Sequence, residues 1–175
     1  MVWSATGPRI RELVSEYYEP LYRYAYRLTA SAPHAEDLTQ ETFCRAQAQW
    51  RQVRNAEKPR AWLFAILRNC YLRELRDRRG VRHLPLNCVE EPHTEPIVLA
   101  DIVDSQLVGS ALQMLPEPYR TPIILYYFED FSYKEIADHV GVPIGTVMSR
   151  IARAKVFLRR RLEGQIDFTG APHGL

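Results

Sequence analysis

The stretch Ser132 to Arg150, Ser-Tyr-Lys-Glu-Ile-Ala-Asp-His-Val-Gly-Val-Pro-Ile-Gly-Thr-Val-Met-Ser-Arg, leaves the chain little choice of local fold. Ser132 and Glu135 have the spacing of a capping box, in which each side chain satisfies an orphan backbone N–H at the other's position, so a helix starts here. Ile136, Ala137 and Val140 give it an apolar stripe, and Gly141 follows as the residue that leaves a helix with positive φ at least steric cost. Pro143 suits the first position of a new helix, where its missing N–H is not needed. Two helices joined by a short glycine-containing turn form a helix-turn-helix.

At about 100° per residue, Ile144, Val147, Ile151, Ala154 and Leu158 fall on one face of the second helix, as a core stripe. Thr146, Ser149, Arg153 and Arg160 fall opposite, with Arg150 on the flank. No acid occurs from Pro143 to Arg161, whereas Arg150, Arg153, Lys155, Arg159, Arg160 and Arg161 are basic. Such a face suits a major groove, where Arg reaches guanine edges and Ser or Thr bonds bases or phosphates. A solvated basic helix would show the same charges, but the capped helix and glycine turn before it favour the groove reading.

The formal net charge of +2 says little, but its distribution says more. Arginine dominates from Arg45 to Arg82, opposed only by Glu57, Glu74 and Asp77. From Leu84 to Asp104 the formal charges are all acidic: Glu90, Glu91, Glu95, Asp101 and Asp104. A hydrophobic content of 46% with 25% charged residues suits a globular protein with a buried core. Cys44, Cys70 and Cys88 include no Cys-x-x-Cys pair and read as reduced thiols of a cytoplasmic protein. His83 and His93 flank Cys88, but without metal-site spacing, so no metal and no cofactor is expected. The N-terminus lacks a basic region followed by an apolar run, and no segment reads as membrane-spanning.

Helical periodicity runs from Pro8 to about Ala30 through Ile10, Leu13, Val14, Tyr17, Leu21, Tyr24, Ala25 and Leu28, interrupted by Pro20, where a kink or break is expected. Its tyrosines, Tyr17, Tyr18, Tyr22, Tyr24 and Tyr26, are expected in the core with hydroxyls at the rim. A second helix is expected from about Pro33 to Trp50, with Leu38, Thr42, Phe43, Ala46 and Trp50 inward. Asp37, Gln40, Glu41 and Cys44 make a stripe on the opposite side. Pro59 opens a third helix to about Arg79. Its first half is apolar almost all round. Farther on, Phe64, Tyr71, Leu72 and Leu75 face inward, while Trp62, Asn69, Arg73 and Arg76 share a stripe. An aromatic, an amide and two arginines in line are the components of a surface that tracks a nucleic-acid backbone and stacks unpaired bases. The competing reading is Trp62 at a bundle edge with solubilising arginines.

Gly80 ends that helix, and the proline-punctuated segment after it reads as a linker. Helix resumes near Asp104 or Ser105 and breaks at Pro116, and another follows to Phe128. The expected architecture is all-α: two small helical domains, 1–82 and 105–166, joined by a flexible linker over 83–104, with a flexible tail over 167–175.

Asp-Leu-Thr-Gln-Glu-Thr-Phe at Asp37 to Phe43, Arg-Ala-Trp-Leu-Phe-Ala-Ile-Leu-Arg-Asn at Arg60 to Asn69, Leu-Pro-Glu-Pro-Tyr-Arg at Leu115 to Arg120 and Gly-Thr-Val-Met-Ser-Arg at Gly145 to Arg150 occur in one order. With these motifs the chain resembles bacterial RNA polymerase sigma factors of the extracytoplasmic-function (ECF) type, from Tyr17 to Leu162. The resemblance implies that Asp37, Leu38, Gln40, Glu41 and Phe43 bind core RNA polymerase. It implies that Arg51, Arg54 and Lys58, with Trp62, Asn69, Arg73 and Arg76, meet the minus-ten element as its strands separate. Thr146, Met148, Ser149, Arg150 and Arg153 would then meet the minus-thirty-five duplex. It also implies control by an anti-sigma factor lodged between the domains; Val156 and Phe157 fall on the polar side of the recognition helix, where they either offer such a partner an apolar patch or pack against the chain's own C-terminal residues. Two positions depart from the family pattern: Arg73 stands where many members carry an acid, and Met148 where a basic residue is common.

A repressor or activator that binds duplex DNA alone would explain Ser132 to Arg161 but leave the first domain unused. An enzyme such as a nuclease is disfavoured, because the sequence presents no carboxylate cluster, His/Cys ligand set or phosphate loop.

Overall fold

The computed structural model describes residues 10–49, 59–79 and 105–166, and every regular element within them is a helix. The chain divides into two compact units, Met1–Arg82 and His83–Leu175. The first contains α1 (Ile10–Thr29), α2 (Ala32–Gln49) and α3 (Pro59–Arg79); the second contains α4 (Ser105–Met114), α5 (Glu117–Phe128), α6 (Tyr133–Val140) and α7 (Ile144–Ile166). The expected loop at 51–58, the linker at 83–104, the tail at 167–175, and Trp50 and Gly80 lie outside the described residues.

In the first unit each helix packs on the other two. Leu13, Leu21, Tyr24 and Leu28 of α1 meet Leu38, Phe43 and Ala46 of α2 and Leu63, Phe64, Leu67 and Tyr71 of α3 in one buried core. Tyr24 lies against Phe64 with ring centroids 5.0 Å apart. The Tyr71 hydroxyl donates to the Leu28 carbonyl at 3.1 Å, which satisfies one of the orphan acceptors at the end of α1. Ala30 turns the chain with φ 54, and the Ser31 carbonyl then receives the Ala35 N–H at 2.9 Å to start α2. Buried Thr39 and Thr42 return their hydroxyls to the carbonyls of Ala35 and Leu38, each at 2.7 Å, so two polar groups enter the core without an unmade bond.

Two expectations for this unit need correction. The helix does not break at Pro20: α1 continues through it as one element, with Glu16, whose carbonyl loses its usual partner, on the exposed side. Tyr18, Tyr22 and Tyr26 are not core residues. They stack along the outside of α1, with centroids 6.2 Å apart for the first pair and 6.4 Å for the second, and Tyr26 is 47% exposed. Their shared four-residue spacing carries them away from the face of Leu21, Tyr24 and Leu28, and that signal was present in the sequence.

In the second unit α4, α5 and α6 all pack on α7. The helix-turn-helix forms as expected. The Glu135 N–H donates to Ser132 Oγ at 3.3 Å and the Ser132 N–H to Glu135 Oε2 at 3.0 Å, and Gly141 takes φ 71 at the helix end. Pro143 sits one position before α7, its carbonyl receiving the Thr146 and Val147 N–H groups at 2.9 and 3.2 Å. Val147, Ile151, Ala154 and Leu158 are buried, but Ile144 is 49% exposed because it precedes the part of α7 covered by the core. Val156 is 5% exposed and Phe157 half-buried, so they form no open apolar patch. A helix packed by three neighbours buries a wider arc than a single stripe.

Candidate nucleic-acid interface

Each unit presents exposed functional groups, and its core explains why they stand there. On α7 burial of Val147, Ile151 and Ala154 turns Met148, Ser149 and Arg153 outward, with Thr146 and Arg150 half-buried at the margins. The Ser149 hydroxyl donates to the Thr146 carbonyl at 3.0 Å, leaving its lone pairs available on the exposed side. Farther along, Lys155 lies over the Tyr127 ring, Nζ 5.9 Å from its centroid, which directs this ammonium group toward α5. A positive helix held at its N-terminal end by a capped neighbour and a glycine turn has the parts of a duplex reader.

On α3 the inward positions Leu63, Phe64, Leu67 and Tyr71 are buried, while Asn69, Arg73 and Arg76 are exposed and Trp62 is half-buried. Leu72 and Leu75, expected inward, are only half-buried. Arg76 Nε donates to the Leu72 carbonyl at 3.3 Å, and this holds the guanidinium along the helix. Arg51, Arg54 and Lys58 lie outside the described residues.

On α2 Asp37, Gln40, Glu41 and Cys44 are all exposed, forming the stripe expected from their spacing. Leu38 and Phe43 do not belong to it: they are 0% and 7% exposed, because they fill the core against α1 and α3. They set the helix and present no surface to a partner. Arg45 Nε donates to Glu41 Oε1 at 2.6 Å, so part of the acidic character of the stripe is balanced within the helix. Behind the stripe, burial pushes the Cys70 thiol above its ordinary pKa, with the Arg45 charge opposing the shift. His34 at the start of α2 pairs with Glu74 of α3, tying the two helices together at that end.

Among the described residues no group of His, Cys, Asp and Glu could hold a metal ion, and His83, Cys88 and His93 lie outside them. No helix among the described residues is long and apolar enough to cross a membrane.

Two helical units in this order, a helix-turn-helix in the second and an arginine-bearing helix in the first, define a factor of the sigma-70 type: Sigma-70 region 2 matches residues 13–81 and Sigma-70, region 4 matches residues 105–158. The ECF RNA polymerase sigma factor SigL of Mycobacterium tuberculosis is 35% identical over 164 residues, covering 91% of this chain and 92% of that protein. The chain belongs to the ECF sigma factors. ECF RNA polymerase sigma factor SigE of Mycolicibacterium smegmatis is 38% identical over 170 residues, covering 90% of this chain and 65% of that protein, so the chain spans just under two thirds of its length. The solved structure of the sigma factor RpoE in complex with the anti-sigma factor NepR from Bartonella quintana is similar with a TM-score of 0.66 at 30% identity, covering 87% of this chain and 96% of that one.

Proposed function

We propose that this ECF sigma factor binds core RNA polymerase and directs it to a distinct set of promoters, working in the cytoplasm without catalytic groups of its own. The ordered match of both units to sigma-70 regions 2 and 4 carries this proposal. In it Asp37, Gln40 and Glu41 dock on the polymerase, Trp62, Asn69, Arg73 and Arg76 meet the separating minus-ten strand with Arg51, Arg54 and Lys58, and α7 reads the minus-thirty-five duplex. The exposure of these stripes on α2, α3 and α7 supports the assignment. A DNA-only repressor would give the α2 stripe no task.

The solved relative bound to an anti-sigma factor supports control of the same kind. Such a partner covers the α2 stripe and part of the second unit, and so competes with core polymerase. Without an open Val156 and Phe157 patch, it gains its hold elsewhere on that unit.

Co-elution with core polymerase on a sizing column tests the docking step. The protein is expected to co-elute at micromolar concentration and to lose this in Asp37→Arg with Glu41→Arg. Failure of the unaltered protein to bind any bacterial core polymerase would refute the proposal.

A further inference from the structure

Ile144 and Met148 are out of place as protein surface. They are 49% and 51% exposed and lie four residues apart, hence on one side of the first turns of α7. Side chains on a helix lean toward its N-terminus, which brings Met148 over the turn that begins with Ile144. Exposed Ser149 and Arg153 lie farther round the same helix, about 100° and 140° from Met148, and no acidic residue occurs from Pro143 to Arg161. The patch is therefore small and apolar, on a helix stretch whose formal charges are all positive. That combination fits a polyanion displaying an isolated apolar group.

Duplex DNA has one such group in its major groove, the C5-methyl of thymine. Gly145 adds to the fit. A Cβ added there meets nothing within 4 Å, so packing among the described residues makes no demand for glycine. The missing side chain leaves the backbone of this turn open to close approach from outside.

We infer that Met148, backed by Ile144, reads thymine methyl groups in the upstream promoter element. This rests on α7 being the duplex-reading helix, as proposed above. A thioether has no hydrogen to donate, so Met148 neither recognises guanine acceptors nor holds a phosphate. It gains affinity only by covering an apolar group, and its flexible stem can adapt to the methyl's position. Loss of one covered methyl corresponds to about a fourfold loss of affinity.

The test uses the full-length protein assembled with core polymerase. An upstream element is selected from a random duplex library, and each thymidine in it is then replaced singly by deoxyuridine, which pairs identically but lacks the methyl. Binding at one or two positions should weaken about fourfold for the unaltered protein, and the same replacements should have little effect in Met148→Ala. Met148→Lys should bind more tightly overall, through a restored phosphate contact, while also being insensitive to the methyl. A selected element without thymine, insensitivity of the unaltered protein at every position, or full methyl discrimination in Met148→Ala would each overturn the inference. So would a Met148→Ala defect confined to core polymerase affinity, which would mark the patch as a protein contact. If no duplex is enriched at all, the reading of α7 as a promoter helix fails with it.

Discussion

The Arg120 guanidinium donates to the Leu115 carbonyl twice, from Nε at 3.1 Å and from Nη2 at 3.0 Å, while its Nη1 reaches Gln113 Oε1 at 2.7 Å. Arg120 is 7% exposed and lies on α5, so a buried charge caps the C-terminal end of α4. The Leu-Pro-Glu-Pro-Tyr-Arg motif is thereby explained as architecture. Its prolines end one helix and begin the next, and its arginine joins them across the turn. Arg120→Ala should destabilise the protein by about 2–4 kcal/mol, because it leaves buried acceptors unpaired as well as removing charge-assisted bonds. Chemical denaturation measures this, and a loss below about 0.5 kcal/mol would show that water replaces the clamp.

The α2 stripe is expected to be functional without being structural. Glu41 and Arg45 form an i, i+4 pair at the surface, worth about 0.3–0.5 kcal/mol. Asp37→Arg with Glu41→Arg should therefore leave stability within roughly 1 kcal/mol while removing core polymerase binding. Leu38→Ala should do the reverse at first cause, costing about 2–5 kcal/mol through a core cavity. Thermal melts and polymerase binding, measured on both variants, separate the two kinds of residue.

Cys44 and Cys70 should differ in reactivity. Cys44 is exposed on the docking stripe, whereas Cys70 is buried and its thiol is pushed above its ordinary pKa by that burial. In a Cys88→Ser background, a bulky maleimide should label Cys44 rapidly and Cys70 slowly, because the thiolate is the reacting form. Labelling at Cys44 should block polymerase binding. Equal rates, or unimpaired binding after labelling, would count against the exposed stripe as the docking site.

Tyr133 is pushed up to about 12, first by burial and then by its hydrogen bond to Tyr126, whose ring stacks on it at 4.7 Å. Its folded value lies above the unfolded value of about 10. Its contribution to stability is thus complete below pH about 10 and lost as pH rises toward 12. Tyr17 is also pushed up to about 12, chiefly by burial. Titration at 295 nm should show a late component that shrinks in Tyr126→Phe and in Tyr17→Phe; a late component unchanged in both would contradict these environments.

Gly145 separates folding from DNA binding. With no neighbour within 4 Å to clash with an added methyl, Gly145→Ala should stabilise the helix by about 0.5–1 kcal/mol. The same methyl should weaken promoter binding if the duplex approaches this turn. A variant that is more stable and binds unchanged would place the DNA elsewhere.

Local chemistry made much of this fold legible. The Ser132 and Glu135 spacing and Gly141 located α6 and its end because capping is decided within a few residues. The opposite arcs of α2 sorted Asp37, Gln40 and Glu41 from Thr42 and Ala46, since that helix has one covered side. Periodicity failed where covering is not one-sided. Val156 looked exposed because a single stripe cannot represent three neighbours, and Ile144 looked buried because the core ends before it. The Arg120 clamp was beyond sequence reasoning altogether, as nothing in a motif says that its arginine folds back on the preceding turn.

Promoter-dependent run-off transcription with purified core polymerase tests the central claim most directly. The unaltered protein should initiate at a defined start on a template carrying the selected upstream element. Arg150→Ala with Arg153→Ala should lower initiation there and leave core binding intact, each true base contact costing about 1–3 kcal/mol. Transcripts no more frequent or specific than those of core polymerase alone would contradict the account.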